Sequence, residues 1–312
     1  DKRLVTELVY GTVARKITLE WYLAHEIADR DQLDTWVYYL LLLSLYQILY
    51  LDKIPNHALV NEAVNLAKRG RGEEKFVNAI LRAFLNKPLP EITSIKRKNK
   101  RLSVQYSAPV WLVATLIEEY GQERAEAILA SLFIRNKASV RVTDSSKVDE
   151  LAQALSAEKS DLSPVGLVKA SGHFAGSQAF KEGLITIQDE TSQLVAPTLQ
   201  LEGWEEVLDA CAAPGGKTCH IASYLTSGQV TALDLYDHKL TLIEENAHRL
   251  GLANRVKTQK LDACQVAETF GPDRFDKILV DAPCSGIGLM RRKPDIKYNK
   301  ESADFDQLQE IQ

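Results

Sequence analysis

The sequence predicts a multidomain protein with an all-helical first part, a small α+β part and an α/β part built on a parallel sheet. Apolar residues recur at helical spacing up to about residue 135, without the alternation that is typical of strands. Short strand and helix patterns mix in the next forty or so residues, and strands then alternate regularly with helices. We therefore expect domains at 1–135, 136–178 and 179–312.

Composition and charge are those of a globular protein. The chain has 312 residues, of which 45% are hydrophobic and 26% charged. A formal net charge of −4 excludes a surface that is basic throughout but is compatible with local patches that bind nucleic acid. Four cysteines without zinc-ligand spacing and no secretory signal predict reduced thiols, no metal site and a cytoplasmic location.

Several stretches predict the helices of the first part. The run 36–51, WVYYLLLLSLYQILYL, is shorter than the roughly 20 apolar residues of a membrane span, so we expect a buried core helix. Helical spacing also marks 8–23 and 57–69, and 108–133 predicts two helices broken at Gly121. A further amphipathic helix is expected to turn these side chains inward: Phe76, Val77, Ile80, Leu81 and Phe84.

A basic run, KRKNKR at 96–101, follows those helices. It predicts either a solvated linker or a contact with RNA phosphates through Lys96, Arg97 and Lys98, and both interpretations stay open.

The elements of the remaining chain follow from shorter patterns. A strand at 138–144, a helix at 147–157 and a strand from Gly166 form the small α+β part. Strands and connecting helices then alternate, which predicts a parallel sheet with crossover helices. The four strands are expected at 205–210, 229–235, 255–261 and 275–281, the last of them, FDKILVD, as a buried strand.

The stretch LDACAAPGGKT, 208–218, follows the first of these strands and opens a helix. Its small residues and glycines allow a ligand to approach the backbone, and the helix N-terminus offers free N–H donors, which suits a carboxylate. It matches neither the P-loop nor the G-x-G-x-x-G pattern, so it predicts neither a triphosphate nor a dinucleotide. The alternative is a plain glycine turn.

Three aspartates follow successive strands. Asp234 ends the second strand, 18 positions after Gly216, which is close to the spacing of a ribose-binding acid. Asp262 follows the third strand and Asp281 ends the fourth. Single acids at strand ends are common helix caps. Three in series at the ligand-binding edge of an α/β sheet favour a nucleoside-binding site.

Together these features resemble the Rossmann-like S-adenosylmethionine-dependent methyltransferase fold. DACAAPGGKT and VDAPCSGIGLMRRKPDIKY resemble the signatures of RNA (cytosine-5) methyltransferases of the NOL/NOP2/Sun type, and FKEGLITIQDETSQLVAP resembles the segment that leads into their catalytic domain. IPNHALVNEAVNLAK and KFVNAILRAFL resemble the NusB-like RNA-binding domain. The combination is similar to the RsmB (Sun/Fmu) family of 16S ribosomal RNA methyltransferases over essentially the whole chain.

The resemblance implies S-adenosylmethionine as cofactor and 16S ribosomal RNA as substrate. It implies that Asp234 holds the ribose, that Asp262 lies near the adenine, and that Asp281 lies near the methionine end and the target base. Cys284, directly after a proline, belongs to the active-site loop. The cofactor loop comprises Cys211, Ala212, Ala213, Pro214, Gly215, Gly216 and Lys217.

Methylation of cytosine carbon 5 explains the need for a cysteine, because a thiolate that adds to carbon 6 makes carbon 5 nucleophilic. In the family that the chain resembles, the nucleophile lies in a Thr-Cys motif on a later strand, and the cysteine corresponding to Cys284 assists product release. Thr218-Cys219 lies in the cofactor-loop helix instead. We therefore expect the nucleophile beyond Gln312 and a catalytic core that is C-terminally incomplete.

The basic run after the active-site loop contains Arg291, Arg292 and Lys293. It predicts either surface charge or a contact with RNA phosphates beside a flipped base. Our interpretation is a cytosine-5 methyltransferase of 16S ribosomal RNA that acts as a monomer without an obligate protein partner or membrane. Two alternatives stay open: methylation of another RNA such as transfer RNA, and a NusB-like RNA-binding or assembly factor with a non-catalytic methyltransferase-like scaffold.

Overall fold

The computed structural model describes residues 2–27, 30–69, 72–170, 172, 174–301 and 303–312. The chain forms two compact units, each made of two stretches. The helical unit comprises Asp1–Ile134 and Ser285–Gln307, and the sheet unit comprises Arg135–Cys284 and Leu308–Gln312. The domain boundaries expected from the sequence, after residues 135 and 178, stay predictions.

The first stretch of the helical unit contains eight α-helices and, within its described residues, no strand, as the sequence predicted. The helices are α1 (Lys2–Ala14), α2 (Lys16–Leu23), α3 (Thr35–Tyr50), α4 (Asn56–Lys68), α5 (Glu74–Asn86), α6 (Lys98–Tyr106), α7 (Val110–Tyr120) and α8 (Gln122–Ser131).

Helix α3 is the centre of the first hydrophobic core. Its side chains Leu41 and Leu45 are fully buried, and α2, α4 and α5 contribute the surrounding residues. In the described part of the chain, no helix is both long and apolar enough to cross a membrane. One inward position was predicted wrongly: Phe76 is exposed, because it lies in the first turn of α5, beside the stripe of Val77, Ile80, Leu81 and Phe84 that enters the core.

The second stretch of the helical unit consists mainly of short turns. Two 3₁₀ turns cover Ile287–Leu289 and Ile296–Tyr298. Between them Met290 is buried in a second core with Leu102, Leu112 and Leu129. The helix α16 (Ala303–Ile311) begins in this stretch and ends among the last residues of the sheet unit.

The sheet unit begins with a four-stranded antiparallel sheet in the order β2-β3-β1-β4. The two strands predicted here are present, and β2 and β4 were not predicted because they are only two and three residues long. The strands are β1 (Ala138–Val142), β2 (Glu158–Lys159), β3 (Gly166–Lys169) and β4 (Ile185–Ile187). The accompanying helices are α9 (Val148–Ala154), α10 (Gln178–Lys181), α11 (Glu190–Gln193) and α12 (Val195–Thr198).

The second sheet has the order β7-β6-β5-β8, with every neighbouring pair parallel. Its strands are β5 (Glu206–Asp209), β6 (Gln229–Asp234), β7 (Val256–Lys260) and β8 (Lys277–Leu279). The crossover helices are α13 (Gly216–Tyr224), α14 (Asp237–Arg249) and α15 (Val266–Phe270). This alternation confirms the predicted fold class, a helical part followed by a Rossmann-like α/β part.

The prediction of a buried fourth strand was wrong. Strand β8 lies at one edge of the described sheet, with a single neighbour, β5. Ile278 is 53% exposed and Val280, just after the strand, is 63% exposed. An apolar run therefore does not by itself distinguish a strand buried on both faces from an edge strand.

Candidate functional site

The carboxyl ends of the parallel strands define one edge of the second sheet. Because β5 to β8 all run in the same direction, their C-terminal ends lie at this edge. Asp234 is the last residue of β6, whereas Asp262 and Asp281 follow the ends of β7 and β8 by two residues. Ligands of open α/β sheets bind at this edge.

The loop between β5 and α13 is held on one side by contacts with β6 and α14, and its other side is open to a ligand. The Ala212 N–H donates to the carbonyl of Leu233 at 2.9 Å, and the Asn246 amide donates to the carbonyl of Pro214 at 2.9 Å. Gly215 has φ +96°, and a Cβ there would lie 3.0 Å from Cα of Ile243. At Gly216, by contrast, a Cβ would meet no described atom within 4 Å. The backbone at the start of α13 is therefore accessible to a ligand.

A cavity of about 210 Å³ opens in front of this loop. The loop residues Cys211 to Pro214, Gly216 and Lys217 line it together with Asp281, as the sequence predicted for one site. Gly215, Asp234, Asp262 and Cys284 are not among its lining residues. The remaining lining residues were not singled out from the sequence: Ile187, Gln188, Asp189, Ser192 and Asp209.

Asp209 is the buried acid of the cavity. Only 1% of the residue is exposed. Thr218 Oγ1 donates to its Oδ2 at 2.7 Å, and its Oδ1 has no hydrogen-bond partner among the described residues. Burial raises the pKa of Asp209 to about 6, although the hydrogen bond from Thr218 acts in the opposite direction. Near neutral pH the site therefore holds a buried, incompletely satisfied carboxylate that suits a cationic ligand group.

The raised pKa of Asp209 predicts a pH-dependent stability. The ordinary value is 3.8, so between about pH 4 and pH 6 the folded state binds a proton that the unfolded state has released, and stability falls as pH rises. In Asp209→Asn this loss should be absent. The free energy of unfolding of the variant relative to the wild type should therefore be on the order of 2 kcal/mol more favourable at pH 7.5 than at pH 4.5. Urea denaturation at both pH values measures it, with the exposed Asp161→Asn as control. An equal effect of Asp209→Asn at both pH values would contradict the burial of this charge.

Asp234 and Asp262 are held by backbone donors at the ends of their strands. Asp234 Oδ1 accepts from the N–H of Tyr236 at 3.1 Å and lies 3.6 Å from Nζ of Lys239. Its side chain is only 11% exposed. Asp262 Oδ1 accepts from the N–H of Cys264 at 3.0 Å and begins a 3₁₀ turn. Both carboxylates are therefore fixed in direction, and each has a further oxygen that can accept from a hydroxyl or amine.

Lys217 and Asp281 form an ion pair across the cavity. The carboxylate is 50% exposed, and such a pair contributes little to stability because water screens it. Pairing does, however, fix the direction of both side chains. Asp281 begins the loop that continues to Cys284, whose thiol is exposed.

The burial of Cys219 argues against a reactive thiol in the Thr218-Cys219 sequence. Cys219 is fully buried, and burial raises its pKa to about 11. Burial also raises the pKa of Cys211, and the carboxylates around it act in the same direction. Both sulfurs are therefore held as thiols, which are poor nucleophiles.

Both basic runs are exposed and belong to the helical unit. Lys96 and Arg97 precede α6, and Lys98 is its first residue. The side chains of the second run, Arg291 to Lys293, are exposed between the buried residues Met290 and Pro294. The structure thus keeps both runs accessible to a polyanion.

The cavity residues that were not predicted as site residues lie in quoted segments of the sequence that indicate their role only weakly. Asp209 belongs to the quoted motif LDACAAPGGKT, but the pattern does not reveal that its carboxylate is buried without a full set of partners. Residues 187–189 and Ser192 belong to the quoted segment FKEGLITIQDETSQLVAP, which reaches the cavity from β4 and α11.

Comparison with known families gives two matches within the chain. The family described as 16S rRNA methyltransferase RsmB/F matches residues 196–312, and the NusB family matches residues 1–86. The first match includes the loop after β5 and the segment that contains Cys284. The second covers helices α1 to α5.

Curated proteins are similar over the whole chain. A probable ribosomal RNA small subunit methyltransferase B of Bacillus subtilis (strain 168) is 44% identical over 321 residues, covering 100% of this chain and 72% of that protein. The ribosomal RNA small subunit methyltransferase B of Escherichia coli O157:H7 is 30% identical over 322 residues and is covered to 73%.

Two solved structures share the fold. The crystal structure of PH0851 has a TM-score of 0.80 at 24% identity, covering 99% of this chain and 72% of that one. The crystal structure of NSun6 from Pyrococcus horikoshii with SFG has a TM-score of 0.51 at 21% identity, covering 57% of this chain and 71% of that one. At these identities the likeness concerns the fold alone.

Proposed function

Because the chain belongs to the ribosomal RNA small subunit methyltransferase B family, we propose that it methylates carbon 5 of a cytosine in 16S ribosomal RNA. S-adenosylmethionine is the methyl donor. One observation carries the proposal: the loop of DACAAPGGKT and Asp281 of VDAPCSG, the two motifs that resemble RNA cytosine-5 methyltransferases, line the same cavity.

The residues of the cavity fit S-adenosylmethionine. The open backbone at Gly216 suits the carboxylate of the methionine part, since the N–H groups at a helix N-terminus bind anions. The unpartnered Oδ1 of Asp209 suits its ammonium group. We propose that the ribose hydroxyls bind to Asp234 and that the adenine lies near Asp262. The cofactor loop itself is Cys211 to Lys217.

S-adenosylmethionine supplies an electrophilic methyl group whose bond electrons remain on the departing sulfur. We propose that the target cytosine is flipped out of its stack. A cysteine thiolate adds to carbon 6, and carbon 5, now enamine-like, takes the methyl group. A base then removes the carbon 5 proton, the electron pair of that bond re-forms the double bond between carbons 5 and 6, and the thiolate leaves.

In this proposal Cys284 assists release, and the attacking thiol is that of another cysteine, in a Thr-Cys motif like that of the family. The buried Cys219 supports that division, because its thiol is neither accessible nor acidic. The exposed Cys284 follows Asp281, whose carboxylate pairs with Lys217. We propose that the methionine end of the cofactor and the target base lie near Asp281.

We propose that the helical unit docks the RNA through its exposed basic runs. These are Lys96 to Lys98 and Arg291 to Lys293. The match of residues 1–86 to the NusB family supports a role of the helical unit in RNA docking. A monomeric enzyme in the cytoplasm, without an obligate protein partner, completes the proposal.

Removal of two arginines should weaken RNA binding without affecting the cofactor. Arg291→Ala with Arg292→Ala is expected to lower the slope of log affinity against log salt by about 2, since each contributes up to one phosphate contact. Filter binding of 16S RNA across a salt series measures the slope. The matched control is the exposed pair Lys68→Ala with Arg69→Ala. An unchanged RNA affinity and slope in the first variant would remove this run from the RNA-binding surface.

Substrate choice tests the proposal against its alternatives. The full-length enzyme is incubated with methyl-labelled S-adenosylmethionine and, separately, unmodified 16S RNA and transfer RNA. We expect label in 16S RNA alone, recovered as 5-methylcytidine. Label in transfer RNA alone would support the first alternative, a different RNA substrate. Binding of 16S RNA without any transfer, and without cofactor binding, would support a non-catalytic scaffold.

A further inference from the structure

The segment that follows Cys284 belongs to the helical unit. The division of the chain falls between Cys284, which ends a stretch of the sheet unit, and Ser285, which begins a stretch of the helical unit. Six positions after Cys284, Met290 is 6% exposed and packs among Leu102, Leu112 and Leu129. We refer to residues 285–301 as the post-cysteine segment. Its first buried contact is therefore made within the helical unit.

Lys297 is the second anchor of the post-cysteine segment. It is 1% exposed, and its ammonium donates to the carbonyl of Ala14 at 2.8 Å and lies 5.9 Å from the centre of the Phe133 ring. Among the described residues no carboxylate forms an ion pair with it. Burial, with the charge of Arg15, lowers its pKa to about 7. Burial of an amine costs free energy unless a hydrogen-bond acceptor replaces the lost water.

Tyr298 makes the third anchor beside it. Its hydroxyl donates to the carbonyl of Val13 at 2.7 Å and lies 3.2 Å from Oγ of Ser107. Ser107 is fully buried, and its Oγ also accepts from the N–H of Ile17 at 2.9 Å. The tyrosine thus joins the end of α1, the start of α2 and the end of α6.

The carbonyls that these two residues bind lie at the C-terminus of α1. The last four carbonyls of a helix have no partner within it, and a cation there also interacts favourably with the helix dipole. Helix α1 ends at Ala14, so Lys297 and Tyr298 satisfy two of these carbonyls from a position 283 and 285 residues away. The contact is specific in chemistry and is not a general hydrophobic association.

We propose that Lys297 and Tyr298 hold the post-cysteine segment in place and, through the backbone that continues from Cys284, act as positioning residues for its thiol. The inference rests on the proposed role of Cys284 in product release. The peptide bond between Cys284 and Ser285 leads directly from the active-site loop into the anchored segment. Loosening the anchors should therefore displace the thiol and leave the cofactor loop, Cys211 to Lys217, intact, because none of the anchor contacts involves that loop.

The test uses the full-length enzyme with Lys297→Met, which keeps the aliphatic stem, and with Tyr298→Phe, which keeps the ring. Each variant is incubated with S-adenosylmethionine and unmodified 16S RNA. We expect a denaturation-resistant protein–RNA adduct, as in Cys284→Ala, and a kcat about 10- to 100-fold lower, since a displacement of about 1 Å costs up to that much. KM for S-adenosylmethionine should stay unchanged.

The matched controls are Lys68→Met and Tyr120→Phe, exposed positions of the same unit. If Cys284→Ala forms the adduct, then wild-type kcat and no adduct in both anchor variants would overturn the positioning role. The proposed role of Cys284 in release would remain. If Cys284→Ala forms no adduct, the release role fails instead. The anchors are then judged by kcat at unchanged KM: a loss in Lys297→Met or Tyr298→Phe supports positioning of Cys284, and no loss overturns it.

Discussion

Replacement of Cys284 by alanine is expected to leave the full-length enzyme covalently joined to 16S RNA. In the proposed mechanism another thiol forms the bond to carbon 6, and Cys284 assists the step that breaks it. Loss of a group that assists proton transfer costs about 100-fold or more in rate, so turnover should fall by at least that factor while the adduct accumulates. A denaturing gel of the reaction with S-adenosylmethionine measures the adduct directly.

Cys264→Ala is the matched control for this experiment, because Cys264 is the other exposed thiol and follows Asp262 on a different loop. It should turn over normally and show no adduct. A different result for Cys284→Ala, with neither adduct nor methylation and with cofactor binding intact, would make Cys284 itself the nucleophile and contradict the assignment to release.

Loss of the Asp234 carboxylate should produce the largest change in cofactor affinity. The side chain ends β6, is 11% exposed and is held in direction by the N–H of Tyr236. Hydrogen bonds from ribose hydroxyls to a charged acceptor contribute about 1.5–3 kcal/mol, so Asp234→Ala should raise the Kd for S-adenosylmethionine about 10- to 100-fold. Isothermal titration calorimetry on the unliganded enzyme measures it.

The control for Asp234→Ala is Asp237→Ala, three positions further on, whose carboxylate is 75% exposed and pairs with Lys260. It should bind S-adenosylmethionine with nearly wild-type affinity. Equal Kd values for Asp234→Ala and the wild type would exclude Asp234 from the cofactor site, and with it the proposed place of the ribose at the end of β6.

Local patterns were sufficient to predict most of the fold. The apolar run of α3, the alternation of β5 to β8 with helices, and the glycine loop before α13 each depend on neighbouring residues in the sequence. The positions of Asp234 and Asp281 at one edge then follow from the parallel direction of the strands. These parts could be predicted because secondary-structure period and strand direction are set locally.

The remaining features depend on tertiary contacts. The exposure of Ile278 follows from the edge position of β8, which the sequence of the strand does not specify. The burial of Asp209 depends on Thr218 and the cavity around it. Lys297 and Tyr298 end the quoted motif VDAPCSGIGLMRRKPDIKY, yet they bind the end of α1 at the opposite end of the chain. No local pattern predicts these contacts.

Release of tritium from 16S RNA labelled at carbon 5 of its cytosines tests the central claim most directly. Methylation at carbon 5 must expel the hydrogen of that carbon, whereas methylation of any ring nitrogen, exocyclic amine or ribose hydroxyl leaves it in place. The account predicts that the full-length enzyme releases one tritium for each methyl group transferred from S-adenosylmethionine. Methyl transfer without tritium release would contradict it, because the methyl group would then lie on another atom.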